Sequence, residues 1–198
     1  MTTKSWPAQF RTETVDYGIE FDVQITTMRN GRIYTYGLPG ARWTATLTFP
    51  DDAEGGQRPA LEAFLASLKG GVNRLSMGHL GRKFPNGTLR GSPILSGAHS
   101  AGAEQLALTN ANGTLKEGDI IGLPGQLLMV VGGGSSVSGN LTVQVTPPLF
   151  SGYTNGTPVT WNQPATLWIP RTSTLGPFPY RAGQYRPGFS IDFVESVI

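Results

Sequence analysis

The texture of this chain changes twice along its length. Residues 1–90 and 166–198 carry nearly all the charge, a single helical stripe and the long two-faced extended runs. Between them, 91–165 holds only Glu104, Lys116, Glu117 and Asp119 as charged residues and is otherwise rich in Gly, Ser, Thr, Asn and Pro. Those residues fall between strand-like runs rather than in one tract, which is turn chemistry for an all-β protein and not a disordered linker. The pattern predicts a host domain of 1–90 plus 166–198, interrupted by an inserted small β-barrel of 91–165.

Within the host, Ile19, Phe21, Val23 and Ile25 alternate with Glu20, Asp22, Gln24 and Thr26. Period-two alternation predicts a strand with one face on a core and one in water. Asn30-Gly31 supplies a hairpin turn before the extended run Ile33–Tyr36. Leu38-Pro39-Gly40 breaks the chain, and Trp43, Ala45, Leu47 and Phe49 then alternate with three threonines as a second half-buried strand. Over 58–69, Leu61, Phe64, Leu65 and Leu68 fall at i, i+3, i+4 and i+7, one apolar helical stripe. Pro59 suits the first helical turn and Gly70-Gly71 the stop. A strand over 73–78 follows. The chain's last alternating run, Phe189, Ile191 and Phe193, matches the host strands and not the middle, so the host sheet is completed after the insertion.

In the middle, strands are predicted at 104–109, 119–123, 126–131, 141–146 and 157–161. Asn112-Gly113, Leu123-Pro124-Gly125, Gly132-Gly133-Gly134, Ser138-Gly139-Asn140 and Pro147-Pro148 separate them. Short strands at this spacing suit a small barrel or sandwich. The triple glycine reads as a flexible hairpin tip, since it lacks the Gly-Lys-[Ser/Thr] of a phosphate loop.

Composition narrows the chemistry. At 198 residues the chain makes one large domain or two small ones. With no cysteine it has no disulfide, thiolate metal site or thiol nucleophile. Residues Met1–Pro7 contain no apolar signal segment, and no apolar run approaches the roughly 20 residues of a membrane helix. A soluble protein made in a cytoplasm is therefore expected. Only 14 % of residues are charged, with net charge +2, too little for a strong nucleic-acid patch. The basic residues between Arg29 and Arg90 read as a solvated or subunit-facing surface. His79 and His99 fall in different modules and offer no metal-ligand spacing. Asp51, Asp52 and Glu54 precede the helix, where negative charge suits its positive end better than it suggests a hydrolytic pair. No catalytic, metal or cofactor residues are assigned, and function is expected to come from assembly or surface recognition.

Several stretches together carry a family likeness. They are Thr46-Leu47-Thr48-Phe49-Pro50, the helix from Leu61 to Gly71, and Asn73-Arg74-Leu75-Ser76-Met77-Gly78-His79 with Gly91-Ser92-Pro93. Leu115-Lys116-Glu117-Gly118-Asp119-Ile120-Ile121, Gln126–Val131, Leu141–Leu149 and Gly156–Thr160 complete the set. In this order the chain resembles tail proteins of long-tailed bacteriophages, most closely the distal tail hub type. The likeness spans about 40–170 and the chain end.

The resemblance implies a mainly β fold. A tail-tube-like β-sandwich with one packed helix would form a hexameric ring, and an oligonucleotide/oligosaccharide-binding-like barrel would project from it. It implies a structural, non-enzymatic role in the virion, at the distal end of the tail. Expected partners are copies of itself, the tail tube protein, and tail-tip, baseplate and fibre proteins, with DNA only passing through. No cofactor and no membrane insertion are expected. Interface candidates are the hairpin around Arg29–Tyr36 and the arm Met1–Phe10, with Trp6, Arg29, Tyr34, Tyr36 and Arg42 as the leading residues. Tyr153 and Trp161 are candidates for a glycan or partner surface. A tail-tube or other ring-forming tail protein, and a glycan- or receptor-binding tail module, are the alternatives.

Overall fold

A computed structural model describes residues 1–37, 40–51, 57–176, 178–180 and 187–196. In chain order its strands are β1 (Thr3–Ser5), β2 (Thr14–Glu20), β3 (Val23–Thr27), β4 (Ile33–Gly37) and β5 (Arg42–Phe49). The helix α1 (Arg58–Ala66) and a 3-10 turn (Lys69–Gly71) precede β6 (Arg74–Gly78). Then come β7 (Arg90–Leu95), β8 (Gln105–Asn112), β9 (Thr114–Leu115), β10 (Ile120–Leu123), β11 (Gln126–Gly132), β12 (Gly134–Ser135) and β13 (Leu141–Thr146). The chain finishes on β14 (Ala165–Pro170) and β15 (Phe189–Glu195). It is mainly β with one α-helix among the described residues.

The chain divides into two compact units, one of Met1–Gly18, Thr44–Gly81 and Ala165–Ile198, the other of Ile19–Trp43 and Arg82–Pro164. The seams differ from those read in the sequence. Residues 82–90 have the charge of the host but the contacts of the middle. Arg82 donates through Nη1 to the Gly118 carbonyl, and Gln163 N–H donates to the Lys83 carbonyl. Leu89 is fully buried in the middle's apolar core. Charge texture records solvent exposure, whereas a seam is set by where the backbone's hydrogen bonds go.

The first unit is built on a six-stranded sheet in the order β1-β6-β14-β15-β5-β2. β6 and β14 pair antiparallel from Gly78↔Ala165 to Leu75↔Trp168, so residues 79–164 connect two neighbouring strands. β5 alternates as its sequence dictates: Trp43, Ala45, Leu47 and Phe49 are buried while its threonines lie half-buried. It pairs with β15 from Phe49↔Phe189 to Thr44↔Val194. Leu61 and Leu65 of α1, and Leu68 after it, are buried, each contributing about 2 kcal/mol of apolar burial. Gly70, at φ 62°, ends the helical stretch; a Cβ there would lie 2.6 Å from the Ser173 carbonyl oxygen. Arg58, inside the basic run read as surface, is 2 % exposed. Its Nε donates to Glu62 Oε1 at 2.8 Å, its Nη1 to the Pro187 carbonyl, and its guanidinium lies 4.0 Å from the Phe189 ring centroid. Stacking on an aromatic face and pairing with a carboxylate make such burial tolerable for arginine.

In the second unit, β10-β11-β13-β8-β7 form a curled antiparallel sheet. Residues 157–160 bridge its two edges, with Ile94↔Pro158 on β7 and Gly122↔Thr160 on β10. The predicted strand at 157–161 is thus an irregular closing segment, and β7 is the strand the sequence hid. Pro93 sits there beside a register shift between Gly91 and Ile94, a place on an edge strand where a residue without N–H is tolerated. Leu106, Leu108, Leu128, Val130, Val143 and Val145 fill the interior. The triple glycine is a tightly approached segment and not a free tip: β12 pairs with β9, and a Cβ on Gly133 would lie 2.5 Å from the Leu115 carbonyl oxygen.

Candidate assembly surface

The hairpin β3–β4 stands as its own two-stranded sheet. Its turn is closed by Met28 N–H to the Arg32 carbonyl (2.8 Å), Gly31 N–H to the Met28 carbonyl (2.9 Å) and Arg32 N–H to Asn30 Oδ1 (3.1 Å). Gly31 takes φ 77°, the left-handed conformation this turn needs from its glycine. The register runs from Val23↔Gly37 through Ile25↔Thr35 to Thr27↔Ile33. Directly opposed residues share a face, so Val23, Ile25 and Ile33 line one side, and Tyr34 and Tyr36 with Gln24 and Thr26 line the other.

Every residue of both strands is exposed. Ile25, Ile33 and Tyr36 each keep 67 % of their surface, and Phe21 keeps 53 %. The alternation over 19–27 predicted a core face; among the described residues both faces of β3 are exposed. The predicted strand is also broken, β2 ending at Glu20 and β3 starting at Val23. Isolated two-stranded hairpins are marginal in water, and covering a side chain the size of Ile gains about 2 kcal/mol. An apolar ribbon of this kind is chemically matched to a protein surface that can cover it.

The other residues singled out in the sequence are placed as follows. Trp6 packs within its own unit, against Phe10, Phe49 and Phe64 at centroid distances of 6.0, 6.2 and 5.8 Å. The N-terminal arm is therefore folded down, with β1 parallel to β6 from Thr3↔Arg74 to Ser5↔Ser76. Arg29 lies in the hairpin turn, Tyr34 and Tyr36 on β4, and Arg42 at the exposed start of β5. Tyr153 and Trp161 are half-buried against the core of the second unit. The Tyr153 hydroxyl donates to the Pro124 carbonyl and the Trp161 indole N–H to the Gly91 carbonyl at 3.0 Å. Arg90 lies 5.2 Å from the Trp161 ring. These two rings brace loops of the barrel rather than forming an open stacking platform.

No protein-family model matches this chain, and no curated protein matches it.

The titratable groups take structural places. His79 stacks on Tyr17 at 3.9 Å. His99 joins its backbone to Tyr153 in a two-residue bridge. Asp51 accepts from the Gly188 N–H, and α1 starts at Arg58 without an acidic residue in its first turn. Asp52 and Glu54 lie outside the described residues, as do Leu38, Pro39 and Tyr185. Among the described residues no three His, Asp or Glu side chains converge on a metal-sized site. An open groove of about 320 Å³ is lined by Glu104, Gln105, Val131, Gln144 and Val145, and holds a single carboxylate.

One feature of the segment around hairpin β3–β4 went unread in the sequence. Residues 13–22 contain Glu13, Asp16, Glu20 and Asp22 and no base, and residues 23–43 contain Arg29, Arg32 and Arg42 and no acid. That block change in sign was the available signal, masked by a net charge near zero over the whole segment.

Proposed function

We propose that this chain is a structural subunit of a phage virion, a hub of the distal tail type. Copies of it form a closed ring, hexameric by the resemblance, joining the tail tube to the tail tip or baseplate. The ring leaves a channel through which DNA passes without being read. The observation that carries this reading is the bare hairpin β3–β4, whose aliphatic side needs cover that its own strands do not provide. In a ring each copy offers one such ribbon and receives one, so every apolar side is covered and every edge is used. The remaining partners are the tube protein on one side and tip, baseplate or fibre proteins on the other. The engaged polar atoms of Tyr153 and Trp161 lend no support to a glycan-binding platform.

Negative-stain imaging of the purified full-length chain, and of particles labelled with an antibody to it, tests the reading. Rings from the pure protein and label at the distal tail end are the expected results. A protein that forms no ring and is absent from the tail end would overturn it.

A further inference from the structure

We infer that Asn30, in the turn of hairpin β3–β4, is a site of spontaneous deamidation in the free chain, with water as the only co-reactant. The chain holds four Asn-Gly dipeptides, at 30–31, 86–87, 112–113 and 155–156. A glycine after asparagine leaves its backbone nitrogen unscreened by a Cβ. Each pair therefore has the chemistry to close a five-membered ring, and the structure separates them by what holds each in place.

Three of the pairs are tied to distant segments. Gly87 is buried, and its N–H and that of Asn86 both donate to the Asp119 carboxylate, at 3.1 and 2.6 Å. The Gly113 N–H donates to Ser136 Oγ at 2.9 Å, and Asn112 pairs with Arg90 across β8 and β7. The Gly156 N–H donates to the Leu95 carbonyl, and Asn155 Oδ1 accepts from the Gly97 N–H. Ring closure at any of these parts segments that lie far apart in sequence.

Asn30 and Gly31 are both exposed, and their bonds stay within one turn. The Gly31 N–H donates to the Met28 carbonyl, and Asn30 Oδ1 accepts from the Arg32 N–H. A Cβ on Gly31 would meet nothing within 4 Å, so the space around the attacking nitrogen is open. Opening an exposed turn costs far less than opening paired strands over a core. The Arg32 N–H also polarises the Asn30 side-chain carbonyl, and it is placed to stabilise the negative charge that develops on that oxygen.

The steps need no oxidant or reductant. The Gly31 nitrogen gives its proton to solvent and attacks Asn30 Cγ; that N–C bond forms, the Cγ–Nδ2 bond breaks and ammonia leaves. Water then opens the succinimide. Cleavage at Cγ gives aspartate, and cleavage at the backbone carbonyl gives isoaspartate, with the chain running on through Cβ and Cγ. Either product sets a carboxylate between Arg29 and Arg32 and lowers the chain's formal charge of +2 by one unit. Isoaspartate also lengthens a turn that fixes the register Thr27↔Ile33.

Ageing of the dilute full-length chain in mildly alkaline buffer tests this, with peptic peptides made in acid and read by mass spectrometry. The exchange of NH2 for OH is expected at Asn30 at least about tenfold faster than at Asn86, Asn112 or Asn155, and within about threefold of its rate in urea. Asn30→Gln, whose longer side chain closes a ring far more slowly, is expected to remove most of the isoaspartate that a protein isoaspartyl methyltransferase labels. Another Asn-Gly pair reacting first would overturn the inference. So would an Asn30 more than about tenfold slower in the folded chain than in urea, or labelling that Asn30→Gln leaves undiminished.

Discussion

Tyr17 donates its hydroxyl hydrogen to the Gly78 carbonyl at 3.1 Å and accepts from the Leu80 N–H at 3.0 Å. Burial pushes its pKa from 10.0 up to about 12, with the Leu80 hydrogen bond pulling weakly the other way. A raised folded-state value means the native chain holds this proton more tightly than the unfolded chain. The contribution is complete below the unfolded pKa of 10.0 and is lost as pH rises toward about 12. Across that window the wild type should lose roughly 2–3 kcal/mol more stability than Tyr17→Phe. Urea midpoints of both proteins measured through the window check this; parallel curves would contradict it. Asp119 is the second residue with a large structural duty. Its carboxylate, 2 % exposed, accepts from Asn86 N–H (2.6 Å), Gly87 N–H (3.1 Å) and Lys116 N–H (2.8 Å). Asp119→Ala strands three backbone donors and should cost about 3 kcal/mol or more, read as a fall in the urea midpoint. The neighbouring glycines close the same clasp. Gly113, at φ 107°, leaves only 2.3 Å between a Cβ and the Thr88 carbonyl oxygen, so Gly113→Ala should also destabilise, by about 2 kcal/mol. Nothing local in the sequence shows the three donors of Asp119. Two of them belong to residues 86 and 87, on a segment whose charge placed it with the host.

At the scale of elements, local pattern was a good guide wherever a tertiary neighbour completes it. β5 was legible because its alternation meets β15 and an apolar interior. The helix was legible because Leu61 and Leu65 share one buried stripe, although it ends at Ala66, before Leu68 and the two glycines, which fall in and beside the 3-10 turn. The same period-two signal failed at 23–27, where the alternation is real but both faces of the strand are exposed. Pattern reports that one face is apolar; it does not report what covers that face. β7 and the closing segment 157–160 were misread for the converse reason, since their places come from long-range bridges and not from local alternation. The hairpin yields a prediction at this scale. Ile25→Lys with Ile33→Lys changes two side chains that touch solvent, so folding stability should shift by less than about 1 kcal/mol. Assembly should be lost, because a lysine on each strand places unpaired charge in the covered face. Thermal unfolding and sedimentation of that variant separate the two effects; a variant that is stable and still assembles would show that this face is not the contact.

Across the whole molecule, the interruption of one domain by another explains both the sequence texture and the sheet order. β6 and β14 are neighbours although residues 79–164 separate them, so the six-stranded sheet is finished only after the second unit has been made. The returning strand at 189–193 was the sequence clue, and its pairing with β5 gives it physical meaning. The hairpin's assignment to the second unit was not legible, because it follows from contacts and not from composition. On the assembly proposed above, the apolar ribbon β3–β4, exposed in the single chain, is covered by another copy. Native mass spectrometry of the purified full-length chain measures that most directly. A single discrete oligomer larger than a dimer, six copies by the resemblance, is predicted, with Ile25→Lys/Ile33→Lys running as a monomer. A wild-type chain that is monomeric at every concentration would contradict it.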